Sequence, residues 1–296
     1  AGRYYVNFSP SVRGLLWMLA QTTSMCAMMT AVRHLSFDGF SGPQLVFFRG
    51  IMGLMVLLPW LLHTIRYEPK ILAPPQWKLV MWRSLISVVG ILCWFLALTG
   101  MSVSDVTAVQ FTHPLFVVVG AALILRENVG AWRWSAVLIG FLGALVIIRP
   151  GYMPFNPLIL GILVSAMSNA SVQLITKHVA MNISGAVLIF YMNLALVPVA
   201  LILAIPDWTW PQWDQFGWIL AVGAFGTLGH IFLARGMKLA DASLLGPVDF
   251  MRLPIAAAFG WILFGEYSDM GTWIGAAIIF IAVLVITRRE AMRKTS

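Results

Sequence analysis

The sequence predicts an all-α polytopic membrane protein: ten transmembrane helices in two inverted five-helix repeats, with both termini cytoplasmic. Three observations carry that prediction: the apolar composition, ten apolar runs of spanning length, and residues that recur between the halves. The 296 residues are 60% hydrophobic and only 10% charged, with a mean hydropathy of +0.88. A soluble domain carries about 25% charged residues. No water-soluble fold of this length hides so much apolar surface, so the expected solvent is lipid.

A hydrocarbon core of about 30 Å takes about 20 helical residues at 1.5 Å each. Ten runs meet that requirement: 12–33, 44–63, 79–100, 105–125, 131–149, 157–177, 185–205, 216–235, 242–264 and 270–287. The first is long enough to span and lacks a convincing cleavage site, so it is taken as a membrane helix and not a leader. Turn residues punctuate the series: Asp38-Gly39 and Gly42-Pro43 after the first run, Pro74-Pro75 before the third, and Pro150-Gly151 after the fifth. Pro206-Asp207 and Pro211 follow the seventh. Most connections are short, which leaves no room for a soluble catalytic domain.

The net charge of +8 is a matter of topology. With the amino terminus inside, 15 of the 19 Lys and Arg residues fall at or near the inner face. Arg33 and Arg149 fall at the outer face, and Arg49 and Arg252 within spans. This distribution points away from nucleic acid. The basic tail from Arg288 to Lys294 is expected to meet anionic headgroups. Cys26 and Cys93 both lie in apolar runs and are expected to be small buried side chains, not a disulfide or metal site.

The halves resemble each other. Gly100-Met101 and Asp105 recur 136 residues later as Gly236-Met237 and Asp241. Glu127, Trp134 and Arg149 recur 139 residues later as Glu266, Trp273 and Arg288, and Arg33-His34 is echoed by Lys177-His178. The repeats are therefore 1–150 and 151–296, together forming one integral membrane unit. Each holds an odd number of spans, so the second is inverted. Inverted repeats are typical of secondary transporters, which hold substrate near the midplane at the repeat interface.

The paired segments from Asp105 to Arg149 and from Asp241 to Arg288 are similar to the repeat of the drug/metabolite transporter superfamily. The carrying residues are Asp105-Val-Thr-Ala, Pro114-Leu-Phe, Arg126-Glu127, Trp134 and Gly140-Phe-Leu-Gly143. The second half keeps Asp241-Ala-Ser-Leu, Pro254, Gly265-Glu266 and Trp273. Proline and glutamate are 12 apart in the second copy and 13 in the first. The chain thus resembles the EamA-type ten-helix exporters along nearly its whole length. That resemblance implies alternating-access export of small metabolites, amino acids including aromatic ones foremost, from the cell inner membrane.

Ionisable and amide side chains within spans are the candidates for substrate contact, because lipid penalises them. Asp249 and Arg252 lie three apart on one face of the ninth span. Either they hold the ammonium and carboxylate of a zwitterion, or they neutralise each other as a structural pair. Gln110 and His113 are similarly placed in the fourth span. His113 corresponds to Asp249 under the 136-residue offset; it is either a substrate or proton ligand or a satisfied structural histidine. Asn169 and Gln173, four apart in the sixth span, line a wet cavity or join helices. Gln21, Thr22, Thr23 and Ser24 form a polar belt with the same two readings. Trp94 and Tyr191 are candidate aromatic walls. Arg49 is expected to snorkel to the outer interface.

Pro114 and Pro254 are placed near the middles of related spans, and an interior proline kinks a helix. They are expected to act as hinges, with a static kink as the bland alternative. Gly271 and Gly275 form a GxxxG, loosely matched by Gly140 and Ala144, and signal close helix packing within one chain or across a dimer. A monomer is the expectation, since ten spans already enclose a cavity.

Phosphate-binding loops and metal-spaced His/Cys motifs are missing, which argues against an ATP-driven pump and against an enzyme. No metal or other cofactor is expected. Facilitated export is favoured over proton antiport, because Asp249 beside Arg252 stays ionised. The competing functions are a proton-coupled multidrug or nucleotide-sugar-like transporter, and a membrane-embedded lipid-modifying enzyme using His113 with Asp249.

Overall fold

The computed structural model describes residues 10–123, 131–148, 156–179, 183–239, 251–267 and 269–293. Asp249, Glu127 and Asp241 lie outside them. The described residues form α-helices and short 3₁₀ turns, without a strand. They are α1 (Pro10–Phe37), α2 (Gly42–Tyr67), α3 (Trp77–Gly100), α4 (Val103–Gln110), α5 (His113–Leu123) and α6 (Ala131–Ile148). There follow α7 (Leu158–Val179), α8 (Gly185–Ala204), α9 (Phe216–Leu239), α10 (Arg252–Phe264) and α11 (Met270–Arg293). Among the described residues, seven segments are long and apolar enough to cross a membrane, with shorter apolar helices at Val137–Ile147, Arg252–Phe264 and Met270–Ala282.

Packing runs mainly between the halves of the chain. α1 lies on α9 and α3 on α7; α2 lies on α8, α6 on α11, and α4 on α10. The largest hydrophobic cluster draws Met28, Met29, Leu45, Phe95 and Leu98 together with Ile162, Leu196, Val222 and Ala256. Each hydrophobic cluster of the described residues draws on both halves.

The fourth expected span, 105–125, is not continuous: α4 stops at Gln110 and α5 starts at His113. Pro114 causes the break, because it has no N–H to give to the Gln110 carbonyl and its ring crowds that turn. Thr112 repairs part of the loss by donating both its N–H (3.0 Å) and its hydroxyl (2.8 Å) to the Val109 carbonyl. Pro114 and Pro254 therefore sit in the first turns of α5 and α10, where a missing N–H costs nothing. They are starters of helices, which corrects the expectation of mid-helix kinks. Prolines within helices occur elsewhere, at Pro59 in α2 and Pro198 in α8.

Hydrogen bonds and one ion pair shut one end of the bundle. Arg33, in the last turns of α1, meets Glu266 at 3.0 Å and donates to the Thr99 carbonyl at the end of α3 at 2.8 Å. Glu266 is presented by a tight C-terminal turn in which Gly265 takes φ +65° and Glu266 donates back to the Gly260 carbonyl. Nearby, the buried Gln44 side chain bonds both the N–H and the carbonyl of Thr209, while the Thr209 hydroxyl donates to the Gly39 carbonyl. Trp208 packs edge-on to Phe47 and against Phe48.

The small-residue signal is used inside the chain. A Cβ on Gly275 would come within 2.6 Å of the Gly143 carbonyl, and one on Gly143 within 2.9 Å of the Gly275 carbonyl. Gly275 thus pairs with Gly143, whereas Gly140 faces Leu115. We predict that Gly275→Val separates α6 from α11 and destabilises the protein by about 1–3 kcal/mol, the usual cost of overpacking. Thermal unfolding of the purified protein in detergent checks this, and an unchanged midpoint counts against the contact.

Candidate functional site

A cavity of about 390 Å³ lies where α2, α8 and α9 converge. Each helix contributes one stripe. Arg49, Gly53, Val56 and Leu57 line it from α2, and Gly185, Ala186, Ile189, Met192 and Asn193 from α8. From α9 come Gly226, Thr227, His230 and Ile231. The spacings of three, four and seven residues are those of a single helical face. The cavity runs from Arg49, in the second turn of α2, to the exposed Gly185 at the start of α8. It therefore extends away from the end closed by Arg33, Glu266, Gln44 and Thr209.

Glycine makes the geometry possible at two points. A Cβ on Gly53 would sit 2.9 Å from the Asn193 amide nitrogen, so only glycine lets α2 approach that side chain. A Cβ on Gly226 would meet Met28 at 2.9 Å and the Arg49 Nε at 3.5 Å. The guanidinium is thus held between α2 and α9.

Arg49 is the electrostatic centre of the cavity. Its Nη2 lies 3.3 Å from His230 Nε2. A guanidinium has no lone pair to offer, so His230 accepts, and its ring is the neutral Nδ1–H tautomer in this arrangement. The Arg49 Nε is buried and finds no acceptor among the described residues. No carboxylate lines the cavity among those residues. The result is a cation with spare donor capacity, an adjacent amide, and walls that are otherwise mainly aliphatic. Small-molecule sites have this character: a largely apolar pocket of roughly 300–1,000 Å³ with a few placed polar groups. No group of three or more His, Cys, Asp or Glu side chains able to hold a metal occurs among the described residues.

The side chains singled out from the sequence lie elsewhere. Gln110 ends α4, half-buried, with its Oε1 buried and unbonded among described residues. His113 and Arg252 are the first residues of α5 and α10. The Arg252 carbonyl lies 3.4 Å from the Cys26 thiol, which joins α10 to α1. Asn169 is half-buried on α7 and Gln173 exposed. Trp94 packs edge-on to Phe95 beside the main core. Tyr191 donates its hydroxyl to the Leu72 carbonyl at 2.6 Å and so ties the α2–α3 connection to α8. None of these residues is in the cavity wall, and Asp249 lies outside the described residues.

Other polar side chains prove to be joints between helices. Ser24 donates to the Phe225 carbonyl at 2.8 Å, linking α1 to α9. Arg83, expected near the inner face, is buried and donates to Thr176 at 2.7 Å, which locks α3 to α7. Arg49 does not snorkel: it is half-buried and turned into the cavity. Its signal was present in the sequence, since it lies on one stripe with Gly53 and Leu57. His230 and Asn193 carried no such signal, because isolated polar residues in apolar runs are common and their meeting is a tertiary fact.

Comparison with known proteins agrees with this architecture. The sequence signature of the EamA-like transporter family matches residues 12–149 and again residues 156–288. A riboflavin transporter of Vibrio cholerae is 32% identical, covering 95% of this chain and 95% of that protein. An S-adenosylmethionine uptake transporter of Rickettsia prowazekii is 29% identical, covering 96% of each. A pseudopaline exporter of Pseudomonas aeruginosa is 25% identical, covering 94% of this chain and 96% of its own length. With both halves matched and the likeness running end to end, this multi-pass membrane protein belongs to the EamA-like transporter family.

Proposed function

We propose that the protein takes up riboflavin, or a flavin of closely similar shape, across the bacterial inner membrane by facilitated alternating access. The observation that carries this is the cavity chemistry around Arg49. S-adenosylmethionine is a sulfonium cation, and it would find a guanidinium and no carboxylate among the described lining residues. Riboflavin is neutral, rich in carbonyl acceptors, and apolar at one end. Relatives named for riboflavin and for S-adenosylmethionine are nearly equal in identity, and the electrostatics of the cavity supports the first reading. None of these relatives is named for an amino acid, and this turns the expected substrate away from amino acids. Uptake replaces export as the proposed direction. The R. prowazekii relative is named for uptake, although the P. aeruginosa one is named an exporter.

The proposed architecture is ten spans in two inverted repeats with both termini inside, acting as a monomer. The twofold match of the family signature supports the repeats. So does the packing, in which α1 on α9 has its counterpart in α3 on α7, and α2 on α9 in α3 on α8. Arg49 precedes Asn193 by 144 residues, the offset that also separates Arg33 from Lys177. Under this topology the end closed by Arg33 and Glu266 is the outer one, and the cavity faces inward. Pairing of Gly143 with Gly275 within one chain supports the monomer.

Alternation requires the cavity helices to bend, and Pro59 in α2 and Pro198 in α8 are the proposed hinges. We predict that liposomes carrying the purified protein take up labelled riboflavin saturably, and that uptake persists after the proton gradient is collapsed. Uptake of phenylalanine or S-adenosylmethionine without riboflavin uptake would overturn the assignment. Pro59→Ala and Pro198→Ala are each expected to slow riboflavin exchange severalfold while leaving equilibrium binding nearly intact; unchanged rates in both variants dismiss the hinge. Gly53→Val, which drives a side chain against Asn193, is expected to abolish uptake while the protein stays monodisperse. Normal uptake in that variant would place the substrate elsewhere.

A further inference from the structure

Resting on the flavin-uptake reading, we propose that Arg49 and Asn193 recognise the imide edge of the substrate's ring system, the C=O–NH–C=O face, and so set specificity for it. The imide presents acceptor, donor and acceptor in a row. A carboxamide supplies one acceptor and a donor pair, and a guanidinium supplies donors alone. Asn193 therefore accepts from the imide N–H and donates to one flanking carbonyl, while Arg49 donates to the other. Since arginine cannot accept, the imide N–H falls to Asn193.

The arrangement in the cavity suits this division. Arg49 and Gly53 are one helical turn apart on α2, about 6 Å along the axis. Asn193 lies against Gly53, its amide nitrogen 2.9 Å from where a Cβ would stand. The two polar groups thus face the cavity at adjoining levels. Arg49 Nε is buried with no acceptor among the described residues, and a buried donor left unpaired is costly until a ligand carbonyl arrives. His230 holds the far side of the guanidinium through Nη2, which leaves the rest of the fork for the substrate. Beyond the polar groups the wall is aliphatic, with Val56, Leu57, Ile189 and Met192 placed to take a hydrocarbon ring. A site built around a hydrogen-bonded group rejects the analogue that lacks it, because its own polar atoms are then stranded.

The test compares riboflavin with N3-methylriboflavin, which keeps both carbonyls and the ring but loses the imide donor. Binding to the purified full-length protein is read by flavin fluorescence, and flux in liposomes. The wild type is expected to bind the methylated flavin about tenfold or more weakly, the loss expected when a buried acceptor is stranded. In Asn193→Ala that preference should collapse to about onefold. In Arg49→Lys, which keeps the charge and loses the fork, both flavins should weaken about tenfold and the preference should remain. The ratio between ligands is the decisive readout, because a merely structural role for Asn193 would lower both affinities and leave their ratio alone. Should Asn193→Ala fail to fold, the Arg49→Lys pattern and the wild-type preference decide the matter. A wild type that carries both flavins equally overturns imide recognition while uptake stands. A wild type that carries neither overturns the uptake reading as well.

Discussion

In a hydrocarbon environment every backbone N–H and C=O has to be satisfied within the chain, and the rest of this structure follows from that constraint. It accounts for the wholly helical described fold. It also explains where helix is allowed to fail. The gap between α4 and α5 is tolerated because Phe111 and Thr112 are buried in protein and Thr112 returns two bonds to the Val109 carbonyl. The same logic governs the charges. Arg33 reaches Glu266 and a carbonyl at the end of α3, and Arg83 reaches Thr176 and the Leu188 carbonyl. Each of these guanidiniums joins helices.

Arg49 departs from this pattern. In Arg33 and Arg83, which hold helices together, Nε is bonded, to Glu266 and to Thr176. Arg49 instead shares one nitrogen with a neutral histidine and keeps Nε unpaired among the described residues, at the wall of a cavity. Local rules broken without an internal partner mark sites where a ligand completes the account. The glycines beside it follow the same logic: Gly53 and Gly226 give up side-chain packing so that Asn193 and Arg49 have room.

The halves of the chain do not behave as separate domains. Their strongest packing is with each other, and the main core takes residues from both. Transport by such a unit demands movement between helices that share one core. The structure combines polar clasps at one end with an interior proline in each of α2 and α8 along the cavity. Clasps break and re-form at low cost, whereas a close-packed core resists continuous deformation.

Composition and periodicity alone determined that this chain lives in a membrane, that it is helical, and where most helices begin and end. The paired segments from Asp105 to Arg149 and from Asp241 to Arg288, with their recurring aspartate, proline, glutamate and tryptophan, pointed to the family. These properties are local, or they are sums over the chain, so no knowledge of packing is needed to read them. The site was another matter. Gln110, His113, Asn169 and Arg252 drew notice because polar residues in apolar runs are conspicuous, yet conspicuousness does not say which face of a helix meets a cavity. Arg49, Asn193 and His230 lie far apart in sequence, on three helices, and line one cavity only because α2 packs against both α8 and α9. Pro114 likewise read as a kink until the break before it turned it into the start of a helix. Whether a buried polar group is a joint or a ligand depends on what stands opposite it, and tertiary structure alone supplies that partner.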